Sequence, residues 1–287
     1  MAVRIFSDST CDLGKELIER YSVTIIPLCI VMGEKSYYDG EDISRNEIFR
    51  WAEENRTTPK TAAITAERLD GAVRPVLEAG DDVILFTIAS GMSSTNNLAR
   101  IYAEDNGNGH MYVIDSANLS TGIGLLVIKA AEMAAEGKNA GEIVSAVEAL
   151  IPQVRASFVI DTLTYLSRGG RCSSVTALLA GTLKLHPEIV VTEGAMGVNR
   201  KFRGTLESAI DKYAHVLEDR LKNADESRVF ITHTVLDKDR KIVDQTRRYL
   251  ESLGIFKEIL ETQAGGVISS HCGPGTLGIL FIEKKNA

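Results

Sequence analysis

The sequence lacks several motifs that would assign it to a common class of protein. No Gly-x-Gly-x-x-Gly fingerprint follows the first predicted strand, and no P-loop pattern occurs in the chain. The five histidines show neither His-Glu-x-x-His nor His-x-His spacing. The four cysteines include no Cys-x-x-Cys pair, which favours reduced thiols over a disulfide framework or a zinc knuckle. We therefore expect no cofactor and no bound metal.

Long apolar runs and a strong positive charge are also missing. No run approaches the roughly 20 residues of a membrane span, so we expect no stable membrane insertion. Residues 1–8 contain no basic segment followed by an apolar one, so we expect no secretory signal peptide. The net charge of −7 argues against a broad nucleic-acid surface. Together these absences predict a cytoplasmic protein that binds no nucleic acid.

The chain length and the order of predicted elements indicate two domains. A chain of 287 residues is long for one hydrophobic core. Strands and helices alternate up to about residue 150, which is typical of an α/β domain with a mostly parallel sheet. A predicted hairpin and further helices follow, closer to an α+β arrangement. We place the boundary near Ile151-Pro152, giving an N-terminal domain of residues 1–153 and a C-terminal domain of residues 154–287.

The segment from Asp82 to Glu104 is the most informative part of the first half. An apolar, β-branched run at residues 83–89 predicts a buried strand, and a helical pattern resumes at Asn97. Between them lies a turn that contains Ser93, Ser94 and Thr95. A helix start offers free backbone N–H groups and a favourable dipole, and the hydroxyls add donors. The turn is thus a candidate site for a phosphate or carboxylate, although one of these residues could serve only as an N-cap.

The same turn resembles a nucleophile elbow. Gly91-Met92-Ser93-Ser94-Thr95 is close to Gly-x-Ser-x-Gly, but Thr95 replaces the second glycine. His271 follows Ser93 in the chain, so an acyl hydrolase using these two residues is the alternative function. His271 lies in a predicted glycine-rich turn, residues 265–275, where a backbone can approach a ligand. The simpler interpretation is a turn histidine without a ligand.

Arginines form a second candidate site. Arg168-Gly169-Gly170-Arg171, with Arg203 later, could grip an anion or dock an acidic partner. The more common explanation of such a pattern is a helix C-cap with solvated arginines. Two predicted strands also end in Asp-Ser, at Asp8 and Asp115, where sites of parallel sheets are often found.

Taken together, these motifs resemble the DegV family, the fatty-acid-binding proteins that serve bacterial fatty acid kinase. The resemblance runs along the whole chain, and two of its motifs are specific. They are the Tyr-Leu-x-Arg-Gly-Gly-Arg run that ends at Arg171 and the His-x-Gly-Pro-Gly run that starts at His271. The other matching segments are residues 7–13, 59–61, 92–95 and 115–124.

The resemblance implies a two-domain protein that holds a long-chain fatty acid, such as palmitate or oleate, in a tunnel between its domains. It implies that Thr61 and Ser93 hydrogen-bond the carboxylate, with His271 beside them. It also implies that the arginines named above help a fatty acid kinase subunit to dock, and that the chain is a carrier without catalysis. The family usually has Thr-Ser-x-Pro-Ser where this chain has Thr61 followed by Ala62-Ala63-Ile64-Thr65.

The residues themselves are compatible with this function. A carboxylate at a helix start, met by two hydroxyls and a histidine, can be satisfied without a buried lysine. Burial of an acyl chain supplies about 0.8 kcal/mol per CH₂. A regulatory module for some other acidic metabolite is a third possibility, and it would bind a compound without an acyl chain.

Overall fold

A computed structural model describes residues 2–176 and 185–285. The strands are β1 (Val3–Asp8), β2 (Thr24–Ile26), β3 (Cys29–Met32), β4 (Lys35–Tyr38), β5 (Lys60–Ala62), β6 (Asp82–Thr87), β7 (Met111–Asp115), β8 (Val154–Val159), β9 (Leu185–Thr192), β10 (Ala195–Arg203), β11 (Arg228–His233), β12 (Glu258–Gln263) and β13 (Leu277–Ile282). The α-helices are α1 (Lys15–Arg20), α2 (Arg45–Asn55), α3 (Ala66–Glu78), α4 (Thr95–Asn106), α5 (Thr121–Ala135), α6 (Ala140–Leu150), α7 (Leu163–Gly169), α8 (Ser173–Thr176), α9 (Leu206–Val216), α10 (Glu218–Lys222), α11 (Lys241–Leu253) and α12 (Gly266–Cys272).

The first half is organised on a parallel sheet, as the alternation of strands and helices predicts. Its strand order is β2-β1-β6-β7, and every pairing is parallel. All six residues of β6 are buried, because neighbours cover both edges of this strand and helices cover both faces. The carboxyl end of β6, where the hydroxyl-rich turn begins, therefore lies in the middle of one sheet edge.

The second half is built on a mixed six-stranded sheet with the order β10-β9-β8-β13-β11-β12. Only β11 and β12 pair in parallel among the described strands. The predicted hairpin of β9 and β10 is confirmed, with antiparallel register from Thr192 opposite Ala195. The predicted α/β class with an N-terminal parallel sheet is thus correct.

Helix α5 joins the two halves. Its sequence is apolar on nearly every side, and such a helix is stable only when it is buried all round. It contacts β1 and β6 of the parallel sheet and β8 and β13 of the mixed sheet. The largest hydrophobic core therefore contains residues from both halves. The domain boundary at residues 153 and 154 stays a prediction, although the six-stranded sheet does begin at Val154.

Several local predictions are wrong. Residues 23–31 form two strands instead of one, because Pro27-Leu28 separates β2 from β3 and these strands join different sheets. The threonine-rich segment before α3 contains β5, which pairs with β3 in a three-stranded antiparallel sheet. The single helix predicted for residues 205–221 breaks at Leu217 into α9 and α10.

The glycine-rich segment that ends the second half also departs from its prediction. Residues 266–272 form α12 instead of a turn, and the turn is confined to the residues after it. The helix predicted for residues 173–180 begins as expected at Ser173, but its second part lies outside the described residues. Within the described residues, no helix combines the length and apolar character needed to cross a membrane.

Candidate functional site

The turn after β6 is held by carboxylates from both neighbouring strands. Asp8, at the end of β1, accepts a hydrogen bond from the Ile88 N–H at 2.8 Å. Asp115, at the end of β7, accepts one from the Ser90 N–H at 3.2 Å. The two strand ends that the sequence marks as site candidates therefore bind the backbone of the central turn and fix its direction. Burial raises the pKa of Asp8 to about 6, and hydrogen bonds from Thr10 and Ile88 oppose that shift.

The hydroxyl-rich turn leads directly into α4, which begins at Thr95. Ser93 Oγ lies 3.0 Å from Thr95 Oγ1 and accepts a long hydrogen bond of 3.3 Å from the Thr95 N–H. Ser94 occupies the N-cap position, but its side chain makes no capping hydrogen bond. The simple N-cap interpretation therefore does not account for Ser94, whose hydroxyl faces a cavity.

His271 lies in the last turn of α12, opposite the hydroxyl-rich turn. Its Nε2 is 2.8 Å from Thr61 Oγ1, on strand β5. The two residues are 210 positions apart in the chain, so the fold alone brings them together. Thr61 is adjacent to the Ala62-Ala63 segment that departs from the family pattern, and this segment also lines the cavity.

The imidazole of His271 is neutral at physiological pH. Burial, with a smaller contribution from the charge of Arg171, lowers the pKa of His271 to about 4. Its Nδ1 is buried without a hydrogen-bond partner and faces Gly169. A Cβ at position 169 would overlap Nδ1, so this glycine of the Arg-Gly-Gly-Arg motif provides the space for the ring.

A cavity of about 210 Å³ lies between these elements. Its polar wall consists of Thr61, Ser93, Ser94, Arg171 and His271. The remaining wall is mainly apolar and is formed by Leu28, Ala62, Ala63, Ile88, Met92, Leu119, Met196, Val267, Ile268 and Cys272. A smaller internal cavity of about 20 Å³ shares three of these residues, Leu119, Ile268 and Cys272. The apolar lining thus continues from the polar mouth into the interior, between the two sheets.

The structure separates the predicted site residues into two groups. Thr61, Ser93, Ser94 and His271 line one cavity, whereas Thr95 is fully buried behind Ser93 and does not line it. The arginines also separate: Arg168 and Arg203 are exposed and lie outside the cavity wall.

Arg171 belongs to the cavity as well as to the surface. Its Nη1 donates to the Gly169 carbonyl at 2.7 Å, and its Nε donates weakly to the Met92 carbonyl at 3.4 Å. The expectation that the head-group site would need no full positive charge is thus incomplete, because a guanidinium lies at the mouth. Sequence reasoning grouped Arg171 with Arg168 because both flank the same glycines. The left-handed Gly170 that ends α7 turns the two side chains in different directions.

Two further buried carboxylates, which the sequence does not mark as site residues, hold α12 in place. Asp12 accepts from the Gly265 N–H at 2.8 Å, and Asp39 accepts from the Gly266 N–H at 2.6 Å. These pairs are 253 and 227 residues apart, so no local pattern could have identified them. Within the described residues, no group of three or more histidine, cysteine, aspartate or glutamate side chains could hold a metal ion.

The geometry does not favour the acyl hydrolase. A serine nucleophile needs a histidine base in hydrogen-bond contact, with a third group that orients the base. His271 Nε2 instead contacts Thr61, while Ser93 Oγ contacts Thr95. The His271 Nδ1, which would need the orienting group, has no partner. An imidazole whose pKa is near 4 is also a weak base at neutral pH.

Comparisons with known proteins are consistent along the whole length. A family model described as "Uncharacterised protein, DegV family" matches residues 2–284. A DegV domain-containing protein of Caldanaerobacter subterraneus is 33% identical over 98% of this chain and 99% of its own. A fatty-acid-binding DegV family protein from Thermus thermophilus has a TM-score of 0.90 and 28% identity, covering 99% of this chain and 100% of its own. A stearic-acid-binding protein from Eubacterium ventriosum has a TM-score of 0.83 and 28% identity, covering 98% of each chain.

Proposed function

Because the chain belongs to the DegV family, we propose that it binds a long-chain fatty acid, such as palmitate or oleate, in the cavity beside Thr61. The carboxylate lies at the polar mouth, between Thr61, Ser93 and His271, and Ser94 and Thr95 support this wall. The acyl chain runs inward along the apolar lining. The observation that carries the proposal is a cavity whose hydroxyls and imidazole gather at one end and whose other walls are mainly apolar.

The tautomer of His271 fits a carboxylate ligand. A buried N–H group without an acceptor is rarer than a buried acceptor without a donor. The unpartnered Nδ1 is therefore the unprotonated nitrogen, and Nε2 donates its proton to Thr61 Oγ1. The Thr61 hydroxyl is then free to donate its own proton to an acceptor in the cavity. A carboxylate oxygen is such an acceptor, and a charge-assisted bond of this kind is stronger than a neutral one.

We further propose that the chain is a cytoplasmic carrier without catalysis of its own, and that it presents the bound acid to a fatty acid kinase subunit for phosphorylation. The support is the position of the arginines: Arg168 and Arg203 are exposed, and Arg171 is at the cavity mouth. An acidic kinase surface could pair with the exposed guanidinium groups. Arg203→Ala should then reduce kinase-dependent phosphorylation of the acid without reducing acid binding. Equal phosphorylation by this variant and the wild-type protein would contradict that part of the proposal.

Extraction of the purified protein with organic solvent, followed by mass spectrometry, tests the ligand class directly. We expect a stoichiometric fatty acid, or uptake of added palmitate or oleate after delipidation. Recovery of an acidic metabolite without an acyl chain would support a regulatory module instead.

Substitutions at the polar mouth test the head-group site. Loss of one hydrogen bond to a charged group costs about 1.5–3 kcal/mol, so Thr61→Ala and Ser93→Ala should each weaken the affinity for oleate by roughly 10- to 100-fold. Thr57→Ala is the matched control, because Thr57 is exposed and lies outside the cavity. Unchanged affinity in both site variants would place the head group elsewhere.

A further inference from the structure

Helix α12 has no N-cap of its own. Its N-cap residue is Gly265, which lacks a side chain, and Gly266 follows as the first helical residue. The first turn of a helix leaves backbone N–H groups without intrahelical partners, and these groups are usually satisfied by a nearby Ser, Thr, Asp or Asn. In α12 the acceptors come from remote parts of the chain, Asp12 and Asp39.

Each of these carboxylates is fixed at both of its oxygens. Asp12 Oδ1 accepts from the Gly265 N–H, while Asp12 Oδ2 accepts from Ser120 Oγ at 2.5 Å. Asp39 Oδ1 accepts from the Gly266 N–H, while Asp39 Oδ2 accepts from Ser9 Oγ at 2.9 Å. Both side chains are about 95% buried, so water does not compete for these bonds.

The two glycines allow this close approach. A Cβ at Gly265 would lie 3.1 Å from Asp12 Oδ1, and a Cβ at Gly266 would lie 3.0 Å from Asp39 Oδ1. The first turn of α12 is thus pressed against two buried acceptors that belong to the other half of the molecule. The opposite end of this short helix, about 10 Å away, carries His271.

We infer that Asp12 and Asp39 act together as a clamp on the first turn of α12 that positions His271 for the ligand carboxylate. The helix is a short rigid lever, so a shift at its first turn changes the distance from His271 Nε2 to Thr61 Oγ1. The clamp also explains why residues after Asp8 and after β4 are buried acids at a distance from the cavity. These are positioning residues, and neither lines the cavity. The inference rests on the proposed fatty acid site, since it assigns a role to residues behind that site.

The clamp needs acceptor atoms more than it needs charge. Burial raises the pKa of both carboxyl groups, whereas hydrogen bonds from Ser120 and Gly265 to Asp12, and from Ser9 and Gly266 to Asp39, lower it. A side-chain amide can provide the same acceptor to the helix through its Oδ1 and can donate through Nδ2 to the serine. Asparagine should therefore replace aspartate in the clamp, whereas alanine should not.

The test compares Asp39→Ala, Asp39→Asn and Asp42→Ala in the full chain. Asp42 is the matched control: it follows β4 in the same loop and accepts from the Tyr38 N–H, but it is exposed and its carboxylate is not bonded to α12. Two quantities are measured, the affinity for oleate and the NMR signals of the His271 ring in the ligand-free protein. We expect Asp39→Ala to weaken oleate binding about tenfold or more and to shift the His271 signals. Asp39→Asn should restore both, and Asp42→Ala should change neither.

The ring signals separate the clamp from the proposed function. If the wild-type protein binds no oleate, the proposed function fails, but displaced His271 signals in Asp39→Ala would still support the clamp. If the wild-type protein binds oleate and Asp39→Ala has unchanged affinity and unchanged ring signals, the clamp is wrong. A lower thermal midpoint alone, with native affinity and signals, would mean that Asp39 only stabilises the fold and would also overturn the inference. Should Asp39→Ala not fold, Ser9→Ala removes the bond that orients Asp39 and should give a smaller change in the same direction.

Discussion

The two walls of the cavity are supported in different ways. The hydroxyl wall follows β6, and its backbone is held by Asp8 and Asp115 at the ends of the adjacent strands. The histidine wall is α12, and its backbone is held by Asp12 and Asp39 from another part of the chain. Parallel strands bring their carboxyl ends to one edge, so the first support is a direct consequence of the sheet. The second support depends on side chains that meet only when both halves have folded.

The histidine wall should therefore respond more strongly to a single small change. Gly169→Ala would place a methyl group against the His271 ring and force it away from Thr61. We expect a loss of about 1–3 kcal/mol in the free energy of unfolding, typical of overpacking, and at least a tenfold loss of oleate affinity. Gly71→Ala is the control, since open space surrounds Gly71 within α3, and the exchange should stabilise the protein by roughly 0.5–1 kcal/mol. Urea denaturation and a binding titration measure both quantities, and native affinity in Gly169→Ala would remove the contrast between the walls.

The two carboxylates of the hydroxyl wall should differ from each other. Asp8→Ala leaves the buried Ile88 and Thr10 N–H groups without acceptors, which costs about 1–3 kcal/mol for each group. Asp115→Ala exposes the N–H of Ser90, a residue at the surface where water can replace the carboxylate, so we expect a loss below about 1 kcal/mol. Equal losses in urea denaturation would show that the strand ends contribute alike.

The walls should also respond to pH with opposite signs. The pKa of His271 is lowered in the folded state to about 4, so its contribution to stability is present above about pH 6.5 and is lost as the pH falls towards 4. The pKa of Asp8 is raised to about 6, so its contribution is present below about pH 3.8 and is lost as the pH rises through 6. Unfolding measured between pH 4 and 7 should therefore lose opposite slopes in His271→Gln and Asp8→Asn. Slopes of the same sign would mean that one of the two groups has the other protonation state.

The smallest effect concerns the arginines at the mouth. The charge of Arg171 is a minor cause of the lowered pKa of His271, after burial. Arg171→Ala should raise the pKa of His271 slightly, as followed by NMR, whereas Arg168→Ala should leave it unchanged because Arg168 is exposed and outside the cavity. An equal shift in both variants would show that the two arginines are not distinguished by position.

The sequence is a good guide to the hydroxyl wall and a poor guide to the histidine wall. The buried strand β6, the turn at Ser93 and the start of α4 all follow from one local pattern of apolar and hydroxyl residues. His271 is identified through its motif, but its segment was expected to be a turn. Glycines in α12 disfavour a helix locally, and packing against Ile30 and Ile48 outweighs that preference. Asp12 and Asp39 carry no local signal at all, because their partners depend on the assembled fold.

Helix α5 also has a consequence for how a ligand could enter. The helix packs on strands of both sheets, so separating the halves like a clamshell would strip one of its apolar faces into water. Each 100 Å² so uncovered would cost about 2.5 kcal/mol. A guest molecule would reach the interior at far lower cost by threading past the rim of the opening, while the spine of the protein stays closed.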